Sequence, residues 1–579
     1  MIENVTSEFL EIAKLPLNGS KMLNYLVVMQ QIADNDDVQY QFPTGICLIS
    51  SVLKATGRSV YTLNLNYKNE PLKELYDAIV DNDIDVVLCG GLSQEYNAIK
   101  TILDVVKNTS NRIKTIVGGG IITADPKTAM IALRNADYGV VGEGEIIVTQ
   151  IAFALENNLS ISDINGVVTK TSEINIDAIS DINNLDILPF PDYFGFELNL
   201  MLGRKYSSTY YDREPLFTRA ATVLCSRSCP YNCTFCFHTA GKKYRRRSLD
   251  GVFKEIEWLV NSFDINYIIL NDEMFVGYED SLYEFCSRIK EYGIKWWGQT
   301  RVDMVSREIL KLMKNSNCSR VTFGVESADN EILKSMRKGI TIEQVEEAFK
   351  CASEVGLPAS GNIILGDINE TKETYRNSMN WWANNRQYDI TLRYVWVFPG
   401  SNLYLNALKN KVITDPVKFL RDGCPQINVT KMTDREYDEM IAEVELFKLV
   451  HEDGIIENFT IPVFEKELNC LIKNPVALWP ATVPIISMLS KIAPEFLASS
   501  NLWLVNRATA DAHMPGIESY GKRVYSPDII TEMNIQTVVV IHRMSLYRTI
   551  IDDIRDNSIM VQRVIHVSEL FNKNAYEED

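Results

Sequence analysis

Histidine is scarce in this chain, with five in 579 residues and none before His238. Positive charge is short as well. Lys and Arg number 58 against 76 Asp and Glu, a net charge of −18, which excludes a broad basic surface for duplex nucleic acid. No apolar run approaches the about 20 residues that a membrane-spanning helix needs. The longest uncharged stretch, Asn474 to Ser490, is interrupted by Pro475, Pro480 and Pro484, so it reads as a buried or interfacial segment. The opening MIENVTSEFLEIAKL has neither a basic start nor an apolar stretch after it, and carries Glu3, Glu8 and Glu11. No export signal is expected, and hence a cytoplasmic location where thiols stay reduced. Low-complexity segments and short repeats are absent. The composition, 46% hydrophobic and 23% charged, is globular, and the length predicts about three to four domains.

What is there begins with a regular alternation. Residues 21–155 read as the strand MLNYLVVMQ, a helix opening at Pro43-Thr44-Gly45, the strand SVYTLNLNY, the helix PLKELYDAIV, the strand IDVVLCGG and the helix NAIKTILDVVK. The strands RIKTIVGGG and ADYGVVGEGE follow, the last feeding the helix EIIVTQIAFALE. Near-continuous apolar strands between amphipathic helices predict a doubly wound, Rossmann-like parallel α/β sheet over residues 1–155. Ligands of such sheets sit beyond the strand carboxyl ends, where Gly90-Gly91, Gly118-Gly119-Gly120 and Gly142-Glu143-Gly144-Glu145 fall. Residues 156–215 read as a linker with a rigid turn at Pro189 and Pro191. Over 216–410 the strands ATVLCSRSC, INYIILNDEM, KWWGQTRVDMV, SRVTFGVES, PASGNIILGD and TLRYVWVFPG alternate with helices, which predicts a partial (β/α)6 barrel. Residues 411–500 read as mainly helical and 501–579 as a small α/β domain. That tail has strands at LWLV, TVVVIH and VQRVIHV but no GxGxxG, so it carries no nucleotide-site assignment.

Cysteine supplies the sharpest signal. Of eleven, four crowd into residues 225–236, and the other seven (47, 89, 286, 318, 351, 424 and 470) are scattered. The window reads Cys225-Ser-Arg-Ser-Cys229-Pro-Tyr-Asn-Cys233-Thr-Phe-Cys236, and its last three cysteines form C-x3-C-x2-C. Three thiolates on one loop can hold three irons of a cubane and leave the fourth iron open. A structural zinc site using Cys225 as fourth ligand is the alternative, but zinc motifs pair two knuckles and no second knuckle exists here. Incidental burial of the thiols is the remaining reading.

CPYNCTFC on the first barrel strand resembles the radical S-adenosylmethionine (SAM) enzymes. The resemblance implies a 4Fe-4S cluster on Cys229, Cys233 and Cys236, with SAM chelated at the open iron and cleaved reductively to a 5′-deoxyadenosyl radical. Asn271-Asp272-Glu273 stands where the family places its GGE-like element, which grips the SAM amino group. Trp297–Asp303, including Arg301, resembles the third-strand pattern, and Phe323-Gly324-Val325-Glu326-Ser327 the fourth, with Glu326 and Ser327 implied at SAM. Gly366-Asp367-Ile368-Asn369-Glu370-Thr371 resembles G-x-P-x-E-T with Ile368 in place of the proline, and Val397–Ser401 closes the sixth strand. Phe235 matches a position that packs on the adenine, with a core aromatic as the plain alternative. Ser228 replaces the glycine common in SRGC, and Cys225 reads as packing or second-layer support.

PTGICLISSVLKATG, the strand ending GGG and DYGVVGEGE resemble the cobalamin-binding domain fused ahead of many radical SAM barrels. The resemblance implies cobalamin contacts at Thr44, Gly45, Gly91, Ser93, Gly118, Gly119, Gly142, Glu143, Gly144 and Glu145. The D-x-H-x-x-G motif is missing, so the N-terminal domain offers cobalt no lower imidazole and a base-off mode is implied. For the GEGE segment, a strand-to-helix turn with acidic residues favoured by the helix dipole is the plain reading.

The run Lys242, Lys243, Arg245, Arg246 and Arg247 could meet an anionic substrate, a cofactor phosphate or a reductant, and reads more simply as a solvated loop. His238 follows the cluster loop and suggests a hydrogen bond near it. His451, His513, His542 and His566 have no metal-ligand spacing, and Trp296-Trp297 and Trp381-Trp382 read as packing. By resemblance the chain is expected to be a class B methyltransferase-like enzyme that methylates an unactivated carbon or phosphinate centre of a small molecule, drawing electrons from a flavodoxin or ferredoxin. A cyclase or rearrangement enzyme with the same cofactors is the second expectation. A non-catalytic iron–sulfur or zinc scaffold is the third.

Overall fold

The computed structural model describes residues 2–32, 42–171, 181–202, 219–241, 243–275, 279–450, 461–507, 523–542 and 544–571. Lys242, His451, His513 and parts of the linker fall outside them. The chain divides into two compact units. The first comprises Met1–Glu326, Leu333–Asn362 and Val395–Val429, and the second Ser327–Ile332, Ile363–Tyr394 and Thr430–Asp579.

The N-terminal sheet of the first unit contains β1 (Asn24–Met29), β2 (Ser59–Asn64), β3 (Val86–Gly90), β4 (Lys114–Gly118), β5 (Tyr138–Val140) and β6 (Val167–Val168), in the order β2-β1-β3-β4-β5-β6. The first five run parallel and β6 pairs antiparallel with β5. Tyr25–Met29 and Val86–Cys89 are buried throughout, as strands covered by helices on both faces require. Pro71 opens the helix Pro71–Asp81, where its missing N–H is no loss. Asp125 caps Pro126–Ala132 by accepting from the Thr128 N–H at 3.1 Å. The strand order reverses between β1 and β3, which places the ligand crevice beyond their carboxyl ends.

In the same unit, β7 (Ala220–Val223) leads into a two-stranded antiparallel ribbon, β8 (Ser226–Arg227) with β9 (Arg245–Arg246). Next come β10 (Tyr267–Leu270), β11 (Lys295–Thr300) and β12 (Cys318–Glu326), and the parallel pairs β7·β10, β10·β11 and β11·β12 form a second sheet. β13 (Ala359–Leu365) begins in this unit, beside β12, where the Val321 N–H donates to the Pro358 carbonyl at 3.0 Å. All six strands expected of the partial barrel form, the sixth being β14 (Asp389–Tyr394) of the second unit.

The second unit contains a third parallel sheet: β15 (Val476–Leu478), β16 (Leu502–Val505), β17 (Val524–Tyr525), β18 (Thr537–Val540) and β19 (Arg563–His566), in the order β17-β16-β15-β18-β19. Leu446, Phe464, Ile486 and Phe496 belong to one core of this sheet, and Trp479, Ile530 and Ile550 to another. The sequence expectation starts this α/β region at 501, whereas its central strand lies at Val476–Leu478. Three apolar residues between Pro475 and Trp479-Pro480 are too short for any periodicity to separate from the helical region before them. Among the described residues no helix is long and apolar enough to cross a membrane.

Candidate functional site

A cavity of about 870 Å³ opens beyond the carboxyl ends of the N-terminal strands, within the range of cofactor sites. Thr44, Gly45, Gly91, Gly118, Gly119 and the Gly142–Glu145 turn line its sheet side. Ser93 does not. It opens the turn Ser93–Glu95 and is buried, so Leu92 and Glu95 reach the wall instead. On the other side lie Thr222, Leu224, Arg227, Ser228 and Asn271–Glu273.

Two glycines explain why backbone forms this wall. Gly119 has φ +82°, and a Cβ there would lie 2.8 Å from the Gly91 carbonyl oxygen. A Cβ on Gly91 would lie 2.1 Å from Glu95 Oε2 and 2.6 Å from Gln30 Nε2. Gln30, just after β1, is 2% exposed, and its Oε1 has no hydrogen-bond partner among the described residues. Backbone edges held close by glycine, with a buried acceptor left without a donor, suit a large cofactor carrying its own amide N–H groups. Cobalamin fits that description.

The cysteines lie on the loop that β8 and β9 close, with Ser226 opposite Arg246 and Arg227 opposite Arg245. Ser228, in the glycine-like position, has φ +66°, and its hydroxyl donates to the Gly241 carbonyl at 2.8 Å. The Thr234 N–H donates to the Met336 carbonyl, and the Leu403 N–H to the Thr234 carbonyl, both at 3.0 Å. Cys233 is buried, Cys229 half-buried and Cys236 exposed. A hydrogen bond from the Cys236 thiol holds the Cys233 thiol down at about 7, while burial pushes the Cys229 thiol up. Among the described residues no three His, Cys, Asp or Glu side chains converge as a single-ion site. Three thiols on one tethered loop suit an iron–sulfur cluster, whose ligands are thiolates. Cys225 precedes β8, outside this loop. It is buried, burial pushes its thiol well up, and its N–H donates to Asp272 Oδ2 at 3.3 Å.

The predicted SAM residues take unequal places. Asp272 is 1% exposed and accepts from the Ser226 hydroxyl at 2.6 Å, the Ser226 N–H and the Cys225 N–H. Its carboxylate thus clamps the strand entering the cluster loop, and burial pushes it up to about 6. Glu273 pairs with His238 Nδ1, and this bond raises the His238 imidazole above its ordinary value. His238 Nε2 meets the Tyr231 carbonyl at 3.2 Å. Arg301 holds Asp303 through two bonds of 2.9 and 2.8 Å and stacks 3.7 Å from the Tyr231 ring centroid. Glu326, at φ +67°, accepts from Lys338 Nζ at 2.8 Å. Ser327 belongs to the second unit, where its hydroxyl lies 3.2 Å from that of Ser378. Phe235 is half-buried on the loop.

Gln30, Tyr231 and Lys338 escaped the sequence reading, because single polar residues outside a motif carry no spacing. The basic run was visible but its environment was not. Arg245 is buried against Glu143 at 2.7 Å, and Arg247 pairs with Glu255, so these two are not part of a solvated loop.

Comparison with known proteins agrees with this architecture. Residues 37–152 match the B12 binding domain family, and residues 223–381 the Radical SAM superfamily. An uncharacterized methyltransferase of Pyrococcus horikoshii is 28% identical over 382 residues, 64% of this chain and 79% of that protein. An anaerobic magnesium-protoporphyrin IX monomethyl ester cyclase of Rubrivivax gelatinosus is 25% identical over 355 residues, 58% of this chain and 62% of that protein, less than two thirds of its length. The apo structure of OxsB, a cobalamin-dependent S-adenosylmethionine radical enzyme, shares the fold at a TM-score of 0.57 and 15% identity, over 93% of this chain and 81% of that one. A match to the B12 binding domain thus precedes a match to the Radical SAM superfamily, which makes the chain similar to the methyltransferase-like, cobalamin-dependent radical SAM enzymes.

Proposed function

We propose that this enzyme methylates an unactivated carbon or a phosphinate-type centre of a small molecule, with cobalamin held base-off. The carrying observation is the shared cavity. Its wall includes both the glycine edge of the N-terminal sheet and Arg227, Ser228 and Asn271–Glu273, which flank the cysteine loop and end β10. When bound, a 4Fe-4S cluster supplies the electron for SAM cleavage and cobalamin supplies a methyl carrier.

The chain's own groups bind, orient and exclude water. Cys229, Cys233 and Cys236 hold the cluster, and Cys225 stays a buried support. Asp272 fixes the loop's entry through its bonds to residues 225 and 226. Glu273, Arg301, Glu326 and Phe235 orient SAM. Thr44, Gly45, Gly91, Gly118, Gly119 and the Gly142–Glu145 turn bound the cobalamin site. Leu88, Ile116, Val140, Leu224 and Ile269 give the cavity an apolar lining, which keeps water from a reactive radical. A flavodoxin or ferredoxin is the proposed electron donor. The cyclase relative supports a second reading, ring formation without net methylation.

Anaerobic turnover with SAM and candidate acceptors separates these readings. Methylation predicts S-adenosylhomocysteine alongside 5′-deoxyadenosine. 5′-Deoxyadenosine without S-adenosylhomocysteine overturns methylation in favour of the second reading, and absence of both overturns the radical chemistry.

A further inference from the structure

Glu143 and Glu145 stand at the cavity wall, yet three of their four carboxylate oxygens are taken by the chain itself. Glu143 Oε1 accepts from Arg227 Nη1 at 2.7 Å, and its Oε2 accepts from Arg245 Nη1 at 2.7 Å and the Ile182 N–H at 2.6 Å. Glu145 Oε1 accepts from Arg227 Nη2 at 2.5 Å. Side-chain exposure is 3% for Glu143, 6% for Glu145, 12% for Arg227 and 3% for Arg245. Two carboxylates and two guanidiniums thus form a buried, charge-balanced knot. Burial works to raise the Glu143 carboxyl, and the two arginines outweigh it, so it stays below the usual carboxylate value.

The arginines occupy a telling place. They sit opposite one another in the β8·β9 register, at the neck of the loop bearing Cys229, Cys233 and Cys236. Both strands of that neck are therefore tied to one turn, the one after β5. Arg245 tightens the neck further by donating to the Ala240 carbonyl at 2.5 Å and the Ile182 carbonyl at 2.8 Å. Buried ion pairs are poor stabilisers because desolvation offsets most of their attraction. What a two-pronged guanidinium adds is direction.

We infer that Arg227, Arg245 and Glu143, with Glu145, are positioning residues, whose charged ends bind one another and set where the cluster loop stands against the cobalamin cavity. The inference rests on the cofactor assignment above. Misplacement by about 1 Å costs on the order of a hundredfold in rate for reacting groups, so a rigid neck has a direct use.

The test compares the reconstituted full chain with Arg227→Lys, whose ammonium lacks the planar two-pronged geometry that holds both carboxylates in place, and with the charge-conserving double variant Glu143→Gln/Arg245→Gln. Iron content is expected to match the parent, since the three cysteines hold the cluster. The magnetic interaction between the reduced cluster and cob(II)alamin, read by electron paramagnetic resonance, is expected to weaken or become heterogeneous. The ratio of S-adenosylhomocysteine to 5′-deoxyadenosine is expected to fall about tenfold or more. Hydrogen exchange of residues 228–244, measured before and after cofactor loading, is expected to accelerate at least about tenfold. Unchanged resonance, product ratio and exchange in a folded variant overturn the inference. Loss of iron from a folded variant also overturns it, because these residues would then be needed to hold the cluster rather than to place it. If the parent chain takes up no cobalt, the functional reading fails, while exchange at 228–244 still decides whether the knot holds the loop.

Discussion

Cys229, Cys233 and Cys236 share one loop but not one environment, and only Cys233 is buried. Replacing any of the three by Ala is expected to abolish SAM cleavage and lower iron content. Cys225→Ala is expected to leave both in place, and loss of iron in that variant contradicts the ligand assignment. This set was legible because C-x3-C-x2-C is a local pattern. Glu370 illustrates the opposite case. Its motif position was visible, but its burial depends on the surrounding packing. It is 1% exposed and accepts from the Gly366 N–H at 3.0 Å and the Thr374 hydroxyl at 2.5 Å, and burial pushes its carboxyl from 4.5 up to about 7. The folded state then binds the proton more tightly than the unfolded one. Its contribution is fully present below about pH 4.5 and is lost as pH rises through 7. The ceiling is about 3 kcal/mol. Glu370→Gln, which keeps an acceptor for Gly366, is expected to flatten the fall of melting temperature between pH 5 and 8 by removing this about 3 kcal/mol swing. An unchanged slope contradicts the assignment.

At the scale of elements, the loops after β3 and β4 depend on each other. The Ile121 N–H donates to the Gly91 carbonyl at 2.9 Å, and Gly119 holds a left-handed conformation against the same carbonyl. Gly119→Ala is expected to destabilise the first unit by about 1–3 kcal/mol and to weaken cobalt retention, as checked by calorimetry and by metal analysis after desalting. A variant with unchanged stability and retention contradicts the packed-loop account. The strands themselves were readable. β1 and β3 are apolar runs between turn residues, and all their apolar positions are buried. β15 was not readable, because three residues hold no period and a nearby Trp-Pro pair resembles loop. Glu143 and Glu145 were placed at the right turn, but their partner Arg227 lies 84 and 82 positions away. Only the fold brings them together.

On the scale of the whole molecule, the first unit brings a glycine-edged cavity and a three-cysteine loop to one place, and the knot of Arg227, Arg245 and Glu143 joins them. Order along the chain made the two cofactor regions legible, whereas their mutual attachment required side-chain geometry. The missing histidines before His238 still bear on the cobalamin mode, since the N-terminal sheet supplies no imidazole. The acceptor lies beyond motif reading, because the cavity residues that select it need not repeat among relatives. The most direct test is the iron and cobalt content of the full chain purified and reconstituted without oxygen. The account predicts about four irons and one cobalt per chain, with Cys233→Ala losing iron and keeping cobalt. Zinc in place of iron, or iron without cobalt, contradicts it.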